Sequence, residues 1–108
     1  MEISVTGRHL EVTDSMRQFV NEKVARLQRF YDRIESIQVL ADRESMRFRT
    51  ELLVRTDHKQ TFVAQVEADE FHESVDLVID KMERQLREHK EKLRNRKHQP
   101  GSPPQPES

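Results

Sequence analysis

The sequence predicts an α+β fold in the order β-α-β-β-β-α, a four-stranded mixed sheet with two helices packed on one face. Three observations predict it. Apolar residues alternate with period two in four short segments, and they recur at helical spacing in two long ones. The last three strand segments are joined by connections short enough for hairpins.

Residues 2–6, "EISVT", put Ile3 and Val5 on one face of a short strand, and Gly7 then lets the chain turn. Thr13 is the expected N-cap of the first helix, with Asp14 well placed against the helix dipole. From Met16 the apolar positions Phe19, Val20, Val24, Leu27, Phe30, Tyr31 and Ile34 follow at helical spacing, which predicts an amphipathic helix of about five turns. "IQVLA" directs Ile37, Val39 and Ala41 to one face. "MRFRTELLVRT" directs Met46, Phe48, Thr50, Leu52 and Val54 there, and "TFVAQVEA" adds Phe62, Ala64, Val66 and Ala68. The turns "DRES" and "DHKQ" make these three an antiparallel meander, apolar on one side only. The strand–helix–strand unit before it is expected to be a right-handed crossover between parallel neighbours. Asp69 is the expected cap of the last helix. Its buried stripe runs Phe71, Val75, Val78, Ile79, Met82, Leu86 and Leu93, with His89 in phase. Extended to residue 97, this helix would outrun an eight-residue strand and project past the sheet. Residues 99–108, "QPGSPPQPES", form a Pro-rich tail expected to be disordered, so one domain spans 1–98.

Composition narrows the function. Of 108 residues 36% are charged and 33% hydrophobic, and there is no cysteine, which removes disulfides and thiolate chemistry. The start carries no basic region followed by an apolar run, and no window is apolar enough to span a membrane; a soluble cytoplasmic domain is expected. Two glycines make no phosphate-cradling loop, and His9, His58, His72, His89 and His98 show no paired ligand spacing, so neither catalysis, a metal nor a cofactor is expected. Met16, Met46 and Met82 read as core filler.

Charge is segregated. The chain is formally −1, yet residues 80–98 carry +4 and residues 34–79 carry −5. On a helical wheel Arg87, Lys90 and Arg94 line one border of the last helix's buried stripe, and Lys81, Arg84 and Lys92 line the other. Asp80, Glu83, Glu88 and Glu91 take the outermost face. Arg26, Arg29 and Arg33 share a border of the first helix. Lys23 falls inside its apolar arc, either snorkelling to solvent over a buried stem or held as a cation at the groove between the helices and aimed outward. Cations along borders flank whatever the helix packs on, with their stems across the seam. Two basic ridges on one helical layer suit phosphate. Because the aromatics read as core, the expected ligand is structured RNA recognised by backbone and shape.

"ISVTGRHLEVTDSMRQFVNEKVARLQRFYDRI" and "ESVDLVIDKMERQLREHKEKLRNR" together resemble the ribosome hibernation-promoting factor and ribosome-associated inhibitor family, over residues 3 to about 97. The most specific pieces are "GRHLEVT" and the long "DLVIDKMERQLREHK" run. The resemblance implies a fold similar to double-stranded RNA-binding domains. It implies binding to small-subunit ribosomal RNA in the channel of messenger and transfer RNA, silencing translation during starvation or stationary phase. It implies no catalysis, no small-molecule substrate, no membrane, and a monomer off the ribosome. The family's basic positions fall on Arg8, Lys23, Arg26, Arg29, Lys81, Arg84, Arg87, Lys90, Lys92 and Arg94. Glu70, Phe71 and His72 depart from the family's usual opening of the last helix, and nothing is carried over for residues 42–49. The likeness is to the short form, whose members either promote ribosome pairing or oppose it; the tail does not choose between them. The alternative from the residues alone is a protein–protein module that pairs through its long last helix.

Overall fold

The computed structural model describes residues 2–57 and 59–98, with side chains as far as Lys92. The tail expected at 99–108 lies outside the described residues, as do the side chains of Leu93 and Arg94. The elements are β1 (Glu2–Arg8), α1 (Asp14–Phe30), β2 (Ile34–Glu44), β3 (Arg47–Thr56), β4 (Thr61–Ala68) and α2 (Phe71–His98). The strands form one sheet in the order β1-β2-β3-β4, with β1 parallel to β2 and the other pairs antiparallel.

The period-two alternation makes one sheet face apolar. Ile37, Val39, Ala41, Leu52, Val54 and Ala64 are at most 2% exposed, and they meet Val20, Val24 and Leu27 of α1 and Val75, Val78, Ile79, Met82 and Leu86 of α2. Thr50 and Ser74 share this core and satisfy one another, Oγ1 to Oγ at 2.7 Å, while the Ser74 hydroxyl donates to the Phe71 carbonyl at 2.7 Å. That pair pins the first turn of α2 onto β3, since a buried hydroxyl without a partner would be costly.

Both helices start at the end of the sheet where β1 finishes and descend side by side. Phe19 meets His72, Lys23 meets Asp76, Arg26 meets Asp80 and Glu83, and Phe30 meets Arg87 and Lys90, so sequence numbers rise together along the seam. His89, packed on Phe62 at the start of β4, marks the lower end of the sheet. The α2 backbone continues as helix to His98, beyond that level, as its length predicts.

Several boundaries differ from expectation. The first helix ends at Phe30, not Ile34: Tyr31 is already extended (φ −139°, ψ 111°), and Tyr31 and Ile34 are buried from the linker and from β2. The β2–β3 turn uses only Ser45 and Met46, with Ser45 left-handed at φ 55°, so Met46 stands 80% exposed instead of filling the core. The cap of α2 is Glu70, whose carbonyl accepts from Ser74 N–H at 3.1 Å; Asp69 instead takes a bond from Arg47. Gly7 lies inside β1 and serves close approach: a Cβ there would stand 2.9 Å from Val12 Cγ2 and closer still to the Leu10 carbonyl. Thr13 caps α1 as expected, its hydroxyl accepting from Met16 N–H at 3.1 Å.

Candidate nucleic-acid interface

The expected cations divide into four groups. Arg87 and Lys90 project from the border of α2 that faces α1. The guanidinium carbon of Arg87 lies 5.5 Å and the ammonium of Lys90 lies 5.1 Å from the centre of the Phe30 ring. Lys90 also donates to the Phe30 carbonyl at 3.4 Å, satisfying one of the orphan acceptors at the end of α1. Neither cation has a carboxylate partner among the described residues. Arg29, in the last turn of α1, is exposed nearby and complements the negative end of that helix. Arg84 and Lys92 are exposed on α2.

Lys23 and Arg26 form the second group, and here the wheel reading needs correction. Lys23 lies in the groove but turns to Asp76 at 3.2 Å, its ammonium 5.3 Å from the Phe19 ring centre. Arg26 bridges to Glu83 at 2.8 Å and to Asp80 at 2.6 Å. Glu83 above all, then Asp80, hold the Arg26 pKa above its ordinary value, against the opposing effect of burial. Asp80 and Glu83 therefore face α1 and not the outermost surface. These two cations tie the helices together in the upper half of the seam, and the carboxylate-free cations gather in its lower half.

Lys81 is the third case. The far border of α2 does not flank the inter-helix groove; it overhangs the free edge of β4. There the Lys81 ammonium donates to the Gln65 carbonyl at 3.2 Å and the Gln85 amide donates to the Val63 carbonyl at 2.9 Å. The other edge is treated likewise, with Arg17 of α1 donating to the Val5 carbonyl of β1 at 3.2 Å. The two basic borders of α2 thus lie on opposite sides of the helix and do not enclose one groove.

Arg8 stands apart. It pairs across the sheet with Asp42, and Asp42 with Arg49, so the three form a row on the sheet face opposite the helices. Asp42, 6% exposed, accepts from Arg49 at 3.0 Å and lies 3.1 Å from the His9 imidazole, which a left-handed backbone at φ 56° swings over it. The bond to His9 first, and then that to Arg49, hold the Asp42 carboxyl below the usual carboxylate range although its desolvation works the other way. Arg33, expected on the border of α1, lies past the helix end and meets Asp57 at 3.5 Å. Arg94 lies outside the described side chains. Sequence reasoning missed Phe30, read as core, which is half-buried and carries two cations on its ring; Lys and Arg at i and i+3 beside a helix-terminal aromatic are the available signal.

A mixed four-stranded sheet bearing two parallel helices on one face, in this order, defines a two-layer α+β domain. The chain belongs to the family described as Sigma 54 modulation protein / S30EA ribosomal protein, which matches residues 3–94. A relative is the ribosome hibernation promoting factor of Azotobacter vinelandii, 38% identical over 92 residues, 85% of this chain and 85% of that one. A solved ribosomal subunit interface protein of Coxiella burnetii superposes with a TM-score of 0.78 at 28% identity, covering 83% of this chain and 98% of that one. The N-terminal domain of Thermus thermophilus Protein Y superposes with a TM-score of 0.74 at 28% identity, covering 82% and 99%.

Proposed function

We propose that this chain is a ribosome hibernation factor: it binds small-subunit ribosomal RNA in the messenger and transfer RNA channel and silences translation during starvation or stationary phase. It does so in the cytoplasm, as a monomer off the ribosome, by occupying the site and not by catalysis. Relatives named for ribosome hibernation and for the subunit interface support the reading. The observation that carries it is the side-by-side presentation of Arg87 and Lys90, without carboxylate partners among the described residues, on a helix that outruns its sheet. Arg29, exposed in the last turn of α1, would extend these phosphate contacts, and the exposed Arg84 and Lys92 would serve RNA that reaches the other border of α2. Lys23 and Arg26 contribute by fixing the seam, and Arg8 serves only a partner that also reaches the open sheet face. Pairing through α2 has less to offer, since Val75, Met82 and Leu86 are at most 1% exposed and already committed to the sheet.

The test is co-sedimentation with isolated small and large subunits across a salt series. Binding to the small subunit should weaken about 10²-fold between 50 and 200 mM salt if about four phosphates are neutralised. A charge reversal at Arg87 and Lys90 should abolish it with the melting temperature nearly unchanged. Binding that ignores salt, or that prefers the large subunit, rejects the reading.

A further inference from the structure

Phe30 is the last residue of α1 and the only ring at the lower end of the helical seam, among the described residues, with two cations over it. Its ring is half-buried. Arg87 and Lys90, one helical turn apart on α2, converge on the ring at 5.5 and 5.1 Å from its centre. The Lys90 ammonium is held a second time by the Phe30 carbonyl at 3.4 Å. An ammonium has three donors, so this bond leaves two, and the guanidinium of Arg87 has five. Long cationic side chains on a bare helix rotate freely and must be ordered when they grip an anion. Against an aromatic face they are attracted by the ring quadrupole and stay aimed.

We propose that Phe30 is a positioning residue of the anion-binding surface, seating Arg87 and Lys90 together so that an RNA backbone phosphate meets guanidinium and ammonium already in place. This rests on the RNA-binding reading above and adds to it how the two cations are pre-organised. Phe30 need touch no RNA itself.

Two measurements on the full chain test it. In the free protein, NMR should show the Arg87 Hδ and Lys90 Hε protons shifted upfield by the ring current of Phe30, with the shift lost in Phe30→Leu and kept in Phe30→Tyr. In binding to isolated small subunits, Phe30→Leu should be about tenfold weaker, the ordering of two side chains now falling on the binding step. Its salt slope should be unchanged, because the same phosphates are met. Phe30→Tyr should bind like wild type, and in an Arg87→Ala/Lys90→Ala background Phe30→Leu should change nothing further. A wild-type spectrum without the upfield shift overturns the seating, and needs no variant that folds. Wild-type affinity in Phe30→Leu, or an undiminished effect in the double-alanine background, overturns the positioning role while leaving RNA binding intact. Failure of wild type to bind small subunits strikes the RNA reading instead.

Discussion

Arg26 Nε donates to Glu83 across the seam between α1 and α2 at 2.8 Å, joining residues 57 positions apart in the chain, and its second nitrogen reaches Asp80 at 2.6 Å. The guanidinium acts as a two-pronged clasp between parallel helices. Side chains here are partly exposed, 39% for Arg26 and 20% for Glu83, so screening keeps the clasp modest. A double-mutant cycle of Arg26→Ala and Glu83→Ala in urea unfolding should return a coupling of about 0.5–1 kcal/mol. On small subunits Arg26→Ala should cost less affinity than Arg87→Ala, because Arg26 begins with its charge engaged. The reverse order would assign Arg26 a direct contact.

The bonds from Lys81 to Gln65 and from Gln85 to Val63 predict a second behaviour. An edge strand with open carbonyls is a template for pairing with another chain, and proteins blunt such edges with lysine or by covering them. Here α2 supplies both devices to β4, engaging the Gln65 and Val63 carbonyls, while the Val63 side chain itself stays 46% exposed at that edge. Lys81→Ala/Gln85→Ala should retain the fold and self-associate more strongly than wild type with rising concentration in sedimentation velocity. A monomeric double variant would show that the edge needs no cover.

Element order and core were legible because the two periodicities are clean: every apolar-face residue from Ile37 to Ala41, from Thr50 to Val54 and from Ala64 to Ala68 faces the helices or the margin of the core. Boundaries were not, for physical reasons specific to each. Tyr31 and Ile34 continue the helical phase of α1, and no glycine or proline marks its end, so the pattern runs on into a linker that is buried for other reasons. Met46 keeps the alternation of β3 but is consumed by a two-residue turn. The site was half legible. A wheel shows which residues border a helix's buried stripe, and it placed Arg87 and Lys90 well. It cannot show what faces them, because the partners Asp76, Asp80 and Glu83 are set by the parallel docking of α1 and α2. Ser74 went unnoticed beside Thr50 for the same reason.

Gly7 gives a prediction about the upper end of the sheet. Its lack of a Cβ lets residues 10 and 12 fold back against β1, with the Val12 methyl 2.9 Å from where a Cβ would stand. Gly7→Ala must push this loop outward, and the loop leads directly into the Thr13 cap of α1. Overpacking of this kind costs about 1–3 kcal/mol, so the melting temperature should fall by several degrees. An unchanged melting temperature would mean that the loop yields freely.

The Asp42 row on the open sheet face predicts an acid response. Its carboxyl titrates below its ordinary value, held there by His9 and then Arg49. A carboxyl whose folded pKa is depressed contributes stability that is fully present above the unfolded value and is lost as pH falls through the folded one. The unfolded value is about 3.9, so wild type should hold its full advantage over Asp42→Asn at pH 5 and lose it progressively below about pH 4. Melting temperatures of the two proteins, measured between pH 2 and pH 6, should therefore converge on the acid side. His9→Ala removes the larger cause. In that background the pH 5 gap between the parent and its Asp42→Asn variant should narrow, more than it does after a comparable loss elsewhere on this face. Parallel curves for wild type and Asp42→Asn down to pH 2 would mean that this row, including the position of Arg8 beside it, is not held by charge.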